Sequence, residues 1–200
     1  MDLVGRLLTC AVFSCFAATP AMAQGNSASG PTGVQSCERC HGPGGDSKVS
    51  TTPRLNGQQA GYISARLKAL SAAGQSNPHA QIDMLKALSG QSEAARSAIA
   101  QYFARQKPTA PRPGARAAEG KLIYEKGAAA DNVIACNQCH GAAGEGHDAV
   151  PRLAGQHADY LKAQLRLFSM KFRDHVLMHP NTKTMSANTM DALTAYLAND

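Results

Sequence analysis

Two short stretches of this chain hold residues whose types and spacing suit them to bind a cofactor. Cys37-Glu38-Arg39-Cys40-His41-Gly42 recurs as Cys136-Asn137-Gln138-Cys139-His140-Gly141, displaced by 99 positions. In each stretch two thiols and an imidazole stand at i, i+3 and i+4, so one helical turn presents all three on one face. Thiols placed this way can add to the two vinyl groups of a haem while the adjacent imidazole ligates its iron, and Cys-x-x-Cys-His is the attachment pattern of c-type haem. Two motifs imply two covalently attached haem c groups, bound through Cys37 and Cys40 and through Cys136 and Cys139, with His41 and His140 on the irons. Other chemistries fit less well. A four-cysteine zinc site normally separates its pairs by about 15 to 20 residues, far fewer than lie between Cys40 and Cys136, and has no use for both histidines. A thioredoxin-like pair belongs in a βαβ setting that the sequence lacks.

Each iron then needs a second axial ligand, for which the donors are Met or His. The first half offers Met84, with His79 competing; the second offers Met170, Met178, Met185 and Met190 beside His147, His157, His175 and His179. Met84 precedes Tyr102 by 18 positions and Met178 precedes Tyr196 by 18, so registering the halves on these tyrosines selects Met84 and Met178 together. In the same register His175 falls opposite Gln81 and His179 opposite Leu85. A lone methionine is more often core filler. The matched place before a closing helix favours ligation for this pair.

The elements that must position these groups are also written twice. Pro53-Arg54-Leu55-Asn56-Gly57-Gln58 recurs as Pro151-Arg152-Leu153-Ala154-Gly155-Gln156, and Tyr62 to Leu67 matches Tyr160 to Leu165. Between the copies, residues 107–116 carry Pro108, Pro111 and Pro113, which lack amide donors and restrict their neighbours, so this stretch is read as a semi-rigid linker. The expected division is therefore residues 24–106 for a first domain and 117–200 for a second. Apolar spacing within each copy is helical. Residues 59–73 and 157–172 read as amphipathic helices, with Ile63, Leu67 and Leu70 on one apolar face and Leu161, Leu165 and Phe168 on the other. Ser92 and Ser186 read as N-caps of closing helices carrying Ile99, Tyr102 and Phe103, or Leu193, Tyr196 and Leu197. The fold class expected is all-α.

Residues 1–23 combine Arg6, an apolar stretch from Leu7 to Ala18, and the small-residue ending Ala21-Met22-Ala23, the layout of a cleaved secretory signal. The apolar stretch is shorter than the roughly 20 residues of a membrane span, and no later segment comes closer. Cleavage before Gln24 removes Cys10 and Cys15, while a lipid anchor on Cys15 is disfavoured by Phe13 and Ser14 before it. Export places the other four cysteines in an oxidising compartment, where thiols are ordinarily joined as disulfides; two close pairs, each followed by His, ask for another explanation. The chain has no Trp, five Phe and five Tyr, an aromatic core thin enough that something else must fill the interior. The net charge of +6 suits an acidic partner, but the basic residues are dispersed, which argues against nucleic acid.

Cys-x-x-Cys-His-Gly twice, Pro-Arg-Leu-x-Gly-Gln twice, and a Met before each last helix make the sequence similar to the dihaem cytochrome c4 family, two class I cytochrome c domains in tandem, over nearly the whole mature chain. The resemblance implies His41 and Met84 as axial ligands of the first haem, His140 and Met178 of the second, and the carbonyls of Pro53 and Pro151 as acceptors for the proximal imidazoles. Two departures stand out: residues 25–36 are Gly- and Ser-rich where the second copy has an opening helix at 117–126, and the loop at Gly90 and Gln91 lacks a Leu-Ser pair in register. The expected function is a periplasmic electron carrier, not an enzyme. Its donor would be a quinol-oxidising complex or dehydrogenase and its acceptor a haem-copper oxidase, with peripheral association at the membrane. One alternative is a dihaem electron-accepting subunit of a dehydrogenase, such as a flavocytochrome for sulfide. Another is a dihaem oxidoreductase, which requires a vacant or labile iron position and draws on His79, His175 and His179.

Overall fold

The computed structural model describes residues 30–71 and 78–199, without the side chains at 78–81. The expected leader with Cys10 and Cys15, the cleavage point before Gln24 and the imidazole of His79 lie outside the described residues.

The described residues form two helical units in chain order. The first holds α1 (Val34–His41), α2 (Ala60–Ser71), α3 (Pro78–Leu88) and α4 (Glu93–Ala104). The second holds α5 (Ala117–Lys126), α6 (Asn137–His140), α7 (Ala158–Ser169), α8 (Met178–Thr182) and α9 (Ala187–Leu197). Among the described residues there is no strand, only three isolated backbone bridges, and no helix is long and apolar enough to cross a membrane. The all-α expectation holds.

The local rules that start and stop these helices are visible in single residues. Ser92 Oγ accepts from the amide of Ala95 at the start of α4, and Ser186 Oγ from that of Thr189 at the start of α9, each satisfying an orphan donor of the first turn. The expected helix at 157–172 is shorter, since α7 stops at Ser169 and Lys171 adopts φ 62°, a left-handed conformation that no helix interior accommodates. Two helices were not foreseen: α3, which carries Met84, and the one-turn α8, which opens on Met178.

Each unit has its own core. Val34, Ile63, Leu67, Leu88, Ile99 and Phe103 are buried in the first, with Leu55, Leu70, Met84 and Tyr102 packed against them. Tyr124, Val133, Leu161, Met185, Met190, Leu193 and Leu197 form the second. Helices α5 and α9 cross at Gly120, where a Cβ would lie 1.9 Å from the carbonyl oxygen of Ala192 and 2.8 Å from Tyr196 Cβ. The close approach is possible only because the side chain is absent. The connecting residues 107–116 contain no regular helix before Ala117 and are fastened to both units: Asn56 Nδ2 donates to the Lys107 carbonyl at 2.9 Å, and the Arg112 and Gly114 amides donate to the carbonyls of Ala198 and Ala195, both at 2.7 Å.

Candidate functional site

The final turn of α1 carries Cys37, Cys40 and His41; Cys37 and His41 are buried and Cys40 is exposed. In the second unit Cys136 caps the one-turn α6, Cys139 is exposed, and His140 is buried. Both turns end on a glycine in positive φ, Gly42 at 78° and Gly141 at 84°. A Cβ on Gly42 would meet the Asp46 carbonyl oxygen at 2.6 Å and one on Gly141 the Glu145 carboxylate at 2.4 Å, so this position of each motif admits no side chain without displacement. None of the four cysteines of the motifs is joined in a disulfide. Burial raises Cys37 above its ordinary pKa and pushes Cys136 up to about 11.

The two imidazoles are held alike. His41 Nδ1 lies 2.8 Å from the Pro53 carbonyl oxygen and His140 Nδ1 lies 3.0 Å from that of Pro151. A carbonyl oxygen only accepts, so Nδ1 carries the proton in both rings and Nε2 keeps its lone pair. Burial lowers the pKa of both histidines, opposed by the proline carbonyls, and positive charge on His147 or His175 lowers His140 further. Both rings are therefore neutral at pH 7, the state in which imidazole ligates a metal. These are the proline contacts that the family resemblance implies.

The distal candidates separate by location. Met84, half-buried on α3, packs against the core that contains Cys37. Met178 is half-buried at the first residue of α8 and is not part of the second buried core. Of its competitors, Met185 and Met190 fill that core and Met170 is 57% exposed. His147 is exposed beside Asp148, and His157 is buried with Nε2 donating to the Ser47 carbonyl. His175 Nδ1 accepts from the amides of Leu177 and Met178, capping α8, and His179 Nδ1 donates to the Phe168 carbonyl at 2.8 Å. The paired cysteines and the neutral buried imidazole that follows them, its Nδ1 proton held by a carbonyl, form a donor set that fits c-type haem in each unit. Among the described residues no group of three or more His, Cys, Asp or Glu converges into a metal site, as four-cysteine zinc would require.

Sequence reasoning missed one set of residues in contact with this machinery. Gln58 and Gln156, the last residues of the duplicated Pro-Arg-Leu-x-Gly-Gln segment, each reach into the other unit. Their exact recurrence without a role in ligation was the available signal.

The family model described as cytochrome c matches residues 117–199. The cytochrome c4 of Azotobacter vinelandii is 32% identical over 189 residues, covering 88% of this chain and 90% of that protein. The solved cytochrome c4 of Acidithiobacillus ferrooxidans superposes with a TM-score of 0.76 at 34% identity, covering 82% of this chain and 98% of that one. A thiosulfate dehydrogenase electron acceptor from Stutzerimonas stutzeri is 41% identical over 85 residues, 42% of this chain and 39% of that protein.

Proposed function

The chain belongs to the cytochrome c4 family, all-α proteins of two tandem class I cytochrome c domains with two covalently attached haem c groups, and on that premise we propose that it is a periplasmic electron carrier feeding a respiratory acceptor. In this reading His41 and Met84 ligate one iron and His140 and Met178 the other, and the units divide at residues 107–116. The observation that carries it is the repeated proximal arrangement: two cysteines outside any disulfide and, one residue on, a neutral imidazole whose Nδ1 proton is committed to a proline carbonyl.

The haems supply a one-electron couple, and the chain's residues set its conditions. Pro53 and Pro151 fix the tautomer and orientation of the proximal rings and raise their basicity as ligands. The Met84 and Met178 thioethers would be soft donors that favour the ferrous state and so raise the potential, suited to delivery toward a terminal oxidase. An iron held by imidazole and thioether would offer a substrate no place to coordinate, and electrons would pass by outer-sphere transfer. The test is a redox-titrated visible and near-infrared spectrum of the mature protein. Two one-electron steps with the band reporting thioether ligation of ferric haem are expected; a high-spin or bis-imidazole spectrum would sink the ligand assignment.

A second reading, the electron-accepting subunit of a dehydrogenase, is favoured by the 41% identity to the Stutzerimonas stutzeri electron acceptor. Both readings make the chain a carrier and not the site of substrate chemistry. Co-purification from native membranes and periplasm separates them: a stoichiometric dehydrogenase partner supports the subunit, and free protein supports the carrier.

A further inference from the structure

The peptide group between Pro53 and Arg54 is shared by both units. Its carbonyl oxygen accepts the Nδ1 proton of His41 at 2.8 Å, and its N–H donates to Gln156 Oε1 at 2.9 Å. Gln156 Nε2 closes the contact by donating to the Arg54 carbonyl at 3.0 Å. The mirror arrangement stands at the other site. The Pro151–Arg152 peptide accepts from His140 Nδ1 at 3.0 Å and donates to Gln58 Oε1 at 2.8 Å, while Gln58 Nε2 donates to the Arg152 carbonyl at 2.9 Å. Both glutamines are 6% exposed, and each is held in place from its own unit by a following amide, Gln59 to Gln58 Oε1 and His157 to Gln156 Oε1.

We infer that Gln156 is a positioning residue for the haem of the first domain and Gln58 for the haem of the second, each tuning the reduction potential across the domain boundary. The inference rests on His41 and His140 being iron ligands, as proposed above. Hydrogen bonds in series polarise one another, so an acceptor on a peptide N–H makes its carbonyl a stronger acceptor in turn. A stronger acceptor at Nδ1 draws the proximal ring toward imidazolate, which makes it a better donor to ferric iron and lowers the potential. Burial enlarges this effect, because water cannot replace a lost partner in a site this enclosed. The domains then do more than sit together. Each supplies the outer end of the other's proximal hydrogen-bond chain, and any partner that strains the boundary shifts both potentials.

The test uses the mature dihaem protein with Gln156→Met, which keeps the length of the side chain and removes both hydrogen bonds. The expected result is crossed: the haem held by His41 rises in potential, by several-fold in its reduced-to-oxidised ratio at fixed poise, where tenfold corresponds to 59 mV for one electron. In the ferrous protein the His41 Nδ1–H resonance moves upfield while that of His140 holds. Gln58→Met gives the reverse pattern, and Gln156→Glu, which keeps an acceptor facing the Arg54 amide, returns the His41 resonance toward its native position. Equal shifts at both haems, or unchanged potential and resonance at the His41 haem in Gln156→Met, overturn the inference. If the substitutions prevent folding, slow hydrogen exchange at the Arg54 amide in the unmodified protein supports it, and exchange at the rate of an open loop overturns it. A native spectrum without His–Met signatures instead overturns the ligand assignment on which it rests.

Discussion

Ser47 and His157 lie in different units, yet His157 Nε2 stands 3.0 Å from the Ser47 carbonyl oxygen, and both residues are buried. The imidazole is thus a cross-domain strut, which removes one of the second unit's four candidate histidine ligands. Its counterpart in the repeat, Gln59, reaches back the other way, donating from Nε2 to the Glu145 carbonyl at 2.9 Å on the surface.

Replacing His157 by Ala leaves the Ser47 carbonyl buried without this donor. An unsatisfied buried acceptor costs about 1–3 kcal/mol, and the vacated ring volume adds to it. The denaturation midpoint of His157→Ala should fall accordingly while the haem spectra stay unchanged. Gln59→Ala, at a half-buried position whose hydrogen bond to the Glu145 carbonyl is open to solvent, should cost well under half as much. Equal losses in the two variants would mean that the buried contact contributes nothing special.

Gly120→Ala tests the crossing of α5 and α9. The added methyl would sit 1.9 Å from a backbone carbonyl oxygen, which no side-chain rotation relieves. Overpacking of this kind typically costs about 1–3 kcal/mol, and a backbone obstacle places it at the upper end. Thermal unfolding of the variant should come several degrees lower, and an unchanged midpoint would show that the helices do not cross as closely as described.

Asp131 gives a pH dependence with a definite sign. Its Oδ2 accepts from Thr189 Oγ1 and from the Ser186 amide, contacts that tie the turn at Ala129–Asp131 to the start of α9 and hold its carboxyl below the ordinary range. A depressed folded-state pKa contributes stability that is fully present above the unfolded value of about 3.9 and is lost as pH falls through the folded value. Asp131→Asn should therefore be less stable than the parent at pH 7, with the difference shrinking below about pH 4. A difference independent of pH would assign the effect to geometry alone.

Much of this was legible in local sequence because its causes are local. Cys-x-x-Cys-His is one helical turn, the caps at Ser92 and Ser186 depend on three residues, and the apolar faces of α2 and α7 follow from helical spacing. The proline carbonyl contacts came only through family resemblance, since nothing in Pro53 or Pro151 itself announces an imidazole 12 or 11 positions earlier. The clamps of Gln58 and Gln156 span 94 and 102 positions and depend on how two complete units meet, which no window of sequence encodes. Helix α8 was missed for a different reason: it is a single turn whose first amides are bound by the ring nitrogen of His175, a residue read from sequence as a possible ligand.

Met178 is the remaining assignment, proposed as the distal ligand of the second haem although His175 and His179 lie within one turn of it. The repeat register favours sulfur, since His175 and His179 fall opposite Gln81 and Leu85 and have no counterpart in the first unit. Met185 and Met190 are buried in the second core. Met178 alone among the second unit's methionines combines partial burial with the place that matches Met84. Met178→Ala should remove the thioether band from one haem and lower its potential, because the ferrous state loses its soft donor. A tenfold change in the reduced-to-oxidised ratio is 59 mV for one electron, well within the reach of a spectroelectrochemical titration. The haem held by His41 should keep its band and shift little. If the parent shows the thioether band from one haem only, and Met178→Ala leaves that band and both potentials intact while His175→Ala or His179→Ala alters a potential, an imidazole is the ligand. The second iron would then be bis-histidine, with a lower potential and a weaker case for delivery to an oxidase.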